Sequence, residues 1–147
     1  MEIIFHLRAR AVIIKEGRVL LVRQKGVGHA FLPGGHVELG EQAEKALIRE
    51  LEEETDIAGT VKSFLGVIEN SWVQDDARQQ EINLFFEVDV PNLDSSKDPV
   101  SKEDHLEFFW SMPGDFEKYV LLPAPLRQLI PAWLNGERKA WWASVFK

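Results

Sequence analysis

The sequence predicts a mixed α/β (α+β) fold in which helices pack on a largely mixed β-sheet. Three observations predict it. Short runs rich in Val, Ile and Phe recur on both sides of one long helical pattern. The elements run strands, helix, strands, helix, with no internal repeat and no linker. The chain has 147 residues, 45% apolar and 28% charged, which suits one domain over residues 1–147 and excludes disorder.

Residues 2–14 read as a strand, with Arg8 and Arg10 alternating against apolar neighbours. Glu16-Gly17-Arg18 is a turn and Val19–Val22 a second apolar run, so residues 2–24 are expected to form a hairpin. Phe31-Leu32 leads into the Pro33-Gly34-Gly35 turn, where Pro presets one dihedral and Gly permits positive φ. A helix is expected from about Glu41 to Thr55. Val61–Trp72 and Glu81–Val90 read as strands around the polar turn Asp75–Arg78. Residues 91–102 form the one long loop, of the kind that is usually functional. Leu106–Trp110 is a further strand, and Pro113–Tyr119 a short helix. Leu126, Leu129, Ile130 and Trp133 mark a second amphipathic helix over Pro125–Leu134.

The formal net charge of -7 gives no general basic footprint, so a nucleic-acid polymer is not expected as partner. A small anionic ligand needs local help from metal or from a few arginines. The absence of cysteine excludes disulfides and thiolate zinc sites. No apolar run reaches the length of a membrane span. The start, MEIIFHLRAR, reads as a strand and not as a signal peptide, and a cytoplasmic protein is the expectation.

The expected helix carries Glu50, Glu52, Glu53 and Glu54 in its last turns. Carboxylates three and four residues apart repel on a helix surface. On a wheel, Glu50, Glu53 and Glu54 fall within roughly a quarter turn that flanks the apolar stripe of Leu47 and Leu51, while Glu52 points away. Their axial rise is only about 6 Å. Such a cluster suits a hard cation with oxygen ligands, Mg²⁺ or Mn²⁺. Taken alone, it also suits a surface helix built from glutamates for their propensity.

Spacing separates the two. Gly35, five residues, Glu41, seven residues, Arg49-Glu50-Leu51, one residue, Glu53-Glu54, one residue, Asp56-Ile57: this pattern resembles the signature box of the Nudix hydrolases. The strands before it, EINLFFEV after it and the late strand ending at Trp110 resemble the family's layout, a mixed sheet sandwiched between helices. One position departs: Asp56 stands where the family has Gly. That is a helix C-terminal site that favours left-handed backbone, and Asp is among the better non-Gly residues there.

The resemblance implies a divalent-metal-dependent hydrolase that cleaves a diphosphate bond in a nucleoside diphosphate linked to another moiety. A catalytically weak, nucleotide-sensing relative is the alternative. The resemblance makes Glu53 and Glu54 metal ligands, and Glu50 a ligand or the group that orients or deprotonates water. The Gly35 carbonyl adds an oxygen, and Glu41 with Arg49 forms a structural ion pair. A further catalytic acid is expected from the downstream loop, Glu103 first and Glu81 second. Arg8, Arg10, Arg23 and Lys25 are the basic residues near the presumed site. Arg8, Arg23 and Phe31 are the expected substrate contacts, and Phe5, Trp72 and Phe85 are further candidates for stacking on a base. His29 and His36 flank the Pro-Gly-Gly turn. Trp141, Trp142 and Phe146 in the aromatic tail, residues 137–147, need burial, either against the domain or in a homodimer.

Overall fold

Residues Glu2–Val12 form one strand, β1, whose two faces look into two different halves of the core. The computed structural model describes residues 1–146. After β1 come β2 (Ile14–Lys15), β3 (Arg18–Gln24), β4 (Gly34–His36), α1 (Ala43–Thr55), β5 (Thr60–Gln74) and β6 (Ala77–Asp89). β7 (Leu106–Ser111), α2 (Leu126–Leu134) and β8 (Trp141–Val145) complete the chain.

The strands form a five-stranded sheet, ordered β4-β1-β6-β5-β8, and a three-stranded sheet, β2-β3-β7. The large sheet is mixed: β1 runs parallel to β6 and β5 parallel to β8, and its other pairs are antiparallel. The hairpin expected over residues 2–24 is corrected. Only Ile14 and Lys15 pair with β3, while β1 joins the other sheet between β4 and β6. The reason lies in its composition. Ala9 and Ala11 bury toward α1 while Arg8 meets Asn83 and Glu81 of β6, a demand the apolar β3 does not meet. β3 pairs with β7 instead.

One core cluster gathers Val12, Leu21, Ile68, Phe85, Phe109, Ile130 and Trp133 under α2. The other gathers Ala9, Ala11, Leu20, Leu47, Leu51 and Phe86 under α1. Alternating residues of β3 feed both clusters, so the sheets lie between the two helices. The β5–β6 turn is short because Asp75 and Asp76 both take positive φ, 53° and 60°, the twist a two-residue hairpin needs. The short helix expected at Pro113–Tyr119 is reduced to a 3₁₀ turn at Pro113–Asp115.

The aromatic tail folds back as β8, and Trp141 is buried against Phe85. Gly66 makes this possible. It pairs with Trp141 at a bulge in β5, and a Cβ there would lie 2.3–2.5 Å from Trp141 atoms. Trp142 and Phe146 stay exposed. Lys147 lies outside the described residues. Among the described residues, no helix is long and apolar enough to cross a membrane.

Candidate active site

The helix α1 begins later than expected, with Gln42 as its N-cap, so Glu41 lies outside it. That frees the Glu41 carboxylate to meet Arg49 in a two-pronged ion pair, with Nε to Oε2 at 2.7 Å and Nη2 to Oε1 at 3.0 Å. The pair holds Glu41 below the usual carboxylate range and pushes the guanidinium up. Arg49 also donates to the His36 carbonyl at 3.2 Å, to Glu50 at 3.2 Å and to Glu53 at 3.1 Å. One guanidinium thus ties the turn before the helix to two of the three glutamates.

Glu54 is buried and Glu50 is mostly shielded, whereas Glu53 is more than half exposed. Burial, then a hydrogen bond and repulsion from Glu50, push the Glu54 carboxyl up to about 8. Gly35 lies against Glu50: a Cβ there would sit 2.6–2.9 Å from its carboxylate. Only glycine leaves room for backbone and carboxylate to meet at that point.

Asp56 takes the left-handed conformation at φ 61° and caps the helix by donating its N–H to the Glu52 carbonyl at 3.1 Å. Its carboxylate pairs with Lys102, which also donates to the Glu52 carbonyl at 3.0 Å. The backbone N–H of Lys102 donates to the Glu54 carbonyl at 2.7 Å. The long loop therefore docks on the C-terminal end of α1. Docking brings Glu103 close enough to repel Glu54, although Glu103 also pairs with His105 at 3.5 Å.

Beside α1, the large sheet opens into a cleft of about 470 Å³. Arg8, Arg10, Phe31, Trp72, Glu81 and Asn83 are among its lining residues, and His29 is at its margin. The parallel pairing of β1 with β6 sets Arg8 beside Asn83, and the antiparallel β5 sets Asn70 beside Glu81. Glu81 is buried. It accepts from Asn83 Nδ2 at 2.6 Å and lies 3.2 Å from Arg8 Nε, whose N–H is not aligned for a hydrogen bond. Arg10 is also buried, with its guanidinium over the Phe31 ring at 5.1 Å and donating to the Leu32 carbonyl at 3.1 Å. Burial, then Arg8, lower its pKa to about 10, against the pull of Glu81, Glu54 and Glu50. Arg10 links the cleft electrostatically to the acidic helix.

Trp72 forms a cleft wall backed by the His6 ring, stacked at 6.0 Å. His6 Nε2 lies 2.6 Å from the Gln79 Oε1 acceptor and so carries its proton there. Its Nδ1 then accepts from His36 Nε2 at 3.1 Å. Burial, then Arg8, hold the His36 imidazole below its usual range.

The structure brings Gly35, Glu50, Glu53, Glu54, Arg49 and Glu41 together, with Glu103 at the edge of the group and Arg8 and Phe31 in the adjoining cleft. It places Arg23 elsewhere: that guanidinium pairs with Glu107 and lies 4.3 Å over the Phe109 ring. Phe85 is core against Trp141, which corrects its reading as a stacking candidate, and Phe5 sits exposed on the α1 side of β1. Glu81, the second choice for a further acid, lies in the cleft. Asn83 and Asn70 are cleft residues that the sequence reading missed. The signal for Asn83 was present: Glu81 and Asn83 are polar residues two apart on the strand, and so share one face.

The NUDIX domain model matches residues 5–133. The chain belongs to the Nudix family. An ADP-ribose pyrophosphatase of Methanocaldococcus jannaschii is 40% identical over 82 residues, 54% of this chain and 47% of that protein. A putative 8-oxo-dGTP diphosphatase of Bacillus subtilis is 38% identical over 79 residues, 53% of this chain and 50% of that one. The matches thus span about half the length of these curated relatives. In three dimensions, the solution structure of the E. coli ORF135 protein superposes with TM-score 0.64 and 27% identity, covering 92% of this chain and 94% of its own.

Nudix hydrolases generally use divalent metal ions, and the donor set fits such an ion: three carboxylates, hard oxygens all, with Gly35 leaving space against Glu50. Burial, with the neighbouring Glu50 carboxylate, holds a proton on Glu54, and a bound cation would favour its release. Among the described residues, no three His, Asp or Glu side chains are already gathered at one point a metal could take. Arg49 holds Glu50 and Glu53 in their present orientations, so binding requires those two side chains to turn.

Proposed function

We propose that this protein is a divalent-metal-dependent pyrophosphohydrolase that cleaves a diphosphate bond in a nucleoside diphosphate linked to another moiety. The observation that carries the reading is the adjacency of the Gly35–Glu50–Glu54 cluster to a basic, aromatic-walled cleft, with Arg10 between them. Glu50, Glu53 and Glu54 would hold the cation, Mg²⁺ by its oxygen preference or Mn²⁺ as a substitute, and the Gly35 carbonyl would add a further oxygen. When bound, such a cation would neutralise phosphate charge and lower the pKa of a water.

The chain's own residues supply the rest. Arg49 positions Glu50 and Glu53, and Glu41 positions Arg49. Glu103, carried by the docked loop, is the acid nearest to take a proton from water, since Glu81 is already held by Asn83 and Arg8. Arg8 and Arg10 meet phosphate charge, and Phe31 and Trp72 hold the base between apolar surfaces.

The test is turnover on a panel of ADP-ribose, 8-oxo-dGTP, a nucleotide sugar and a dinucleoside polyphosphate with Mg²⁺, followed by identification of the phosphorus attacked. The names of the two relatives place the first two compounds at the head of the panel. Loss of turnover in Glu53→Gln and Glu54→Gln, with both variants folded, is expected. Full turnover in both variants refutes the assigned ligands.

A further inference from the structure

Among the described residues, no strand covers one edge of the large sheet. β4 pairs with β1 only at Arg8–Arg10, and the last backbone contact is the Val37 N–H to the Leu7 carbonyl at 2.9 Å. Residues 2–6 are paired with β6 on one side and carry no strand on the other. The exposed apolar residues Ile3, Ile4 and Phe5 stand there, at 63%, 37% and 58% exposure. No Pro, Lys or bulge blunts this stretch, as protected edges usually require.

We propose that Glu2–His6 pairs antiparallel with the same stretch of a second copy, joining two five-stranded sheets into one. Backbone parity supports it. Leu7 and Ala11 both bond toward β4, so odd-numbered residues of β1 point their N–H and C=O groups to that edge. Ile3 and Phe5 therefore offer free bonding groups outward. With Ile4 on the two-fold axis, Ile3 of each copy faces Phe5 of the other, and each such pair exchanges both backbone bonds.

Side chains agree with the same register. Ile3 meets Phe5 on the α1 side of the sheet, and Ile4 meets its own copy on the cleft side. Glu2 falls opposite His6, so no two like-charged side chains oppose each other in this register. A single register thus satisfies hydrogen bonds and apolar contact, and the symmetry is the self-complementary two-fold expected of a homodimer. The opposite edge, β8, lacks this match. It is preceded by Arg138-Lys139 and followed in sequence by Lys147, so antiparallel self-pairing there brings like charges together. The two clefts of the proposed dimer open on the same side of the continuous sheet, because Ile4, His6 and Arg8 share one face of β1.

Sedimentation of the full chain over a concentration series is expected to give twice 16.8 kDa, and Ile3→Lys with Phe5→Lys is expected to return it to 16.8 kDa with helix and sheet signals unchanged. The chain has no cysteine, so Ile4→Cys introduces one. Directly opposed residues in this register have Cα atoms about 4.5 Å apart, within disulfide reach. Ile4→Cys is expected to form a covalent dimer under mild oxidation, and Trp142→Cys on β8 to remain monomeric on a denaturing gel. A monomer at every concentration, or cross-linking through Trp142→Cys in place of Ile4→Cys, overturns the proposal.

Discussion

The acidic helix and the cleft beside it are built in opposite ways. Glu50, Glu53 and Glu54 of α1 lie within five residues of one another, and the arginine that arranges them lies next to Glu50. The cleft floor is assembled from β1, β5 and β6, where residues such as Arg8 and Asn83 meet from 75 positions apart. The helix site is therefore local and motif-like, tolerant of any fold that presents the helix. The cleft is a property of strand order, and one shift of register would replace its polar face with an apolar one. On the proposed function, diphosphate chemistry belongs to the first region and substrate choice to the second.

The sharpest way to separate them is to remove carboxylates. Glu53→Gln and Glu54→Gln are expected to lower kcat by roughly 10²–10³-fold while substrate binding in the cleft survives, measured by turnover and by calorimetry of nucleotide binding. Phe85→Ala and Trp72→Ala break the comparison within the cleft half. Phe85 is fully buried, so its truncation is expected to cost about 3–5 kcal/mol of stability by denaturant unfolding. Trp72 is part exposed, so its truncation is expected to leave stability nearly unchanged and raise KM. Arg8→Ala is expected to raise KM by about tenfold at constant kcat, the mark of uniform substrate binding.

Gly35→Ala probes the seam between the regions. Its methyl would displace the end of the Glu50 side chain, so calorimetry is expected to show weakened metal affinity with little change in melting temperature.

The smallest expected effect is a pH dependence of the metal-free protein. Glu54 keeps its proton to about 8 when folded. The unfolded chain releases it near a carboxyl value of about 4.3. Between those values the folded state binds more protons, so stability falls as pH rises. Melting temperature in the presence of a chelator is expected to decline across that window, and Glu54→Gln to flatten the decline.

Particular residues show where sequence reading succeeded. Glu50, Glu53 and Glu54 were legible because 3.6-residue periodicity converts spacing into a shared face. Asp56 was legible as a left-handed cap because backbone preference is local, and φ 61° agrees. Arg23 was misleading: it resembles Arg8 in strand context, yet Glu107 and Phe109 on β7 hold it, and nothing near it in sequence names β7 as its neighbour. The hairpin over residues 2–24 failed for the same reason. Adjacent strands usually pair, but β1 found a parallel partner more than 70 residues away.

By itself, then, the chain determined its helix α1, the face its carboxylates share and the family those spacings mark. These follow from dihedral preferences and periodicities acting over a few residues. Tertiary structure alone decided which strands lie side by side. With that it decided that Arg10 sits between cleft and glutamates, that Asn83 turns toward Glu81, that Trp141 closes the core through Gly66, and that Ile3 to Phe5 are left on an open edge. Such contacts depend on which long-range pairing buries the most apolar surface while satisfying the backbone, and that balance is struck over the whole chain at once.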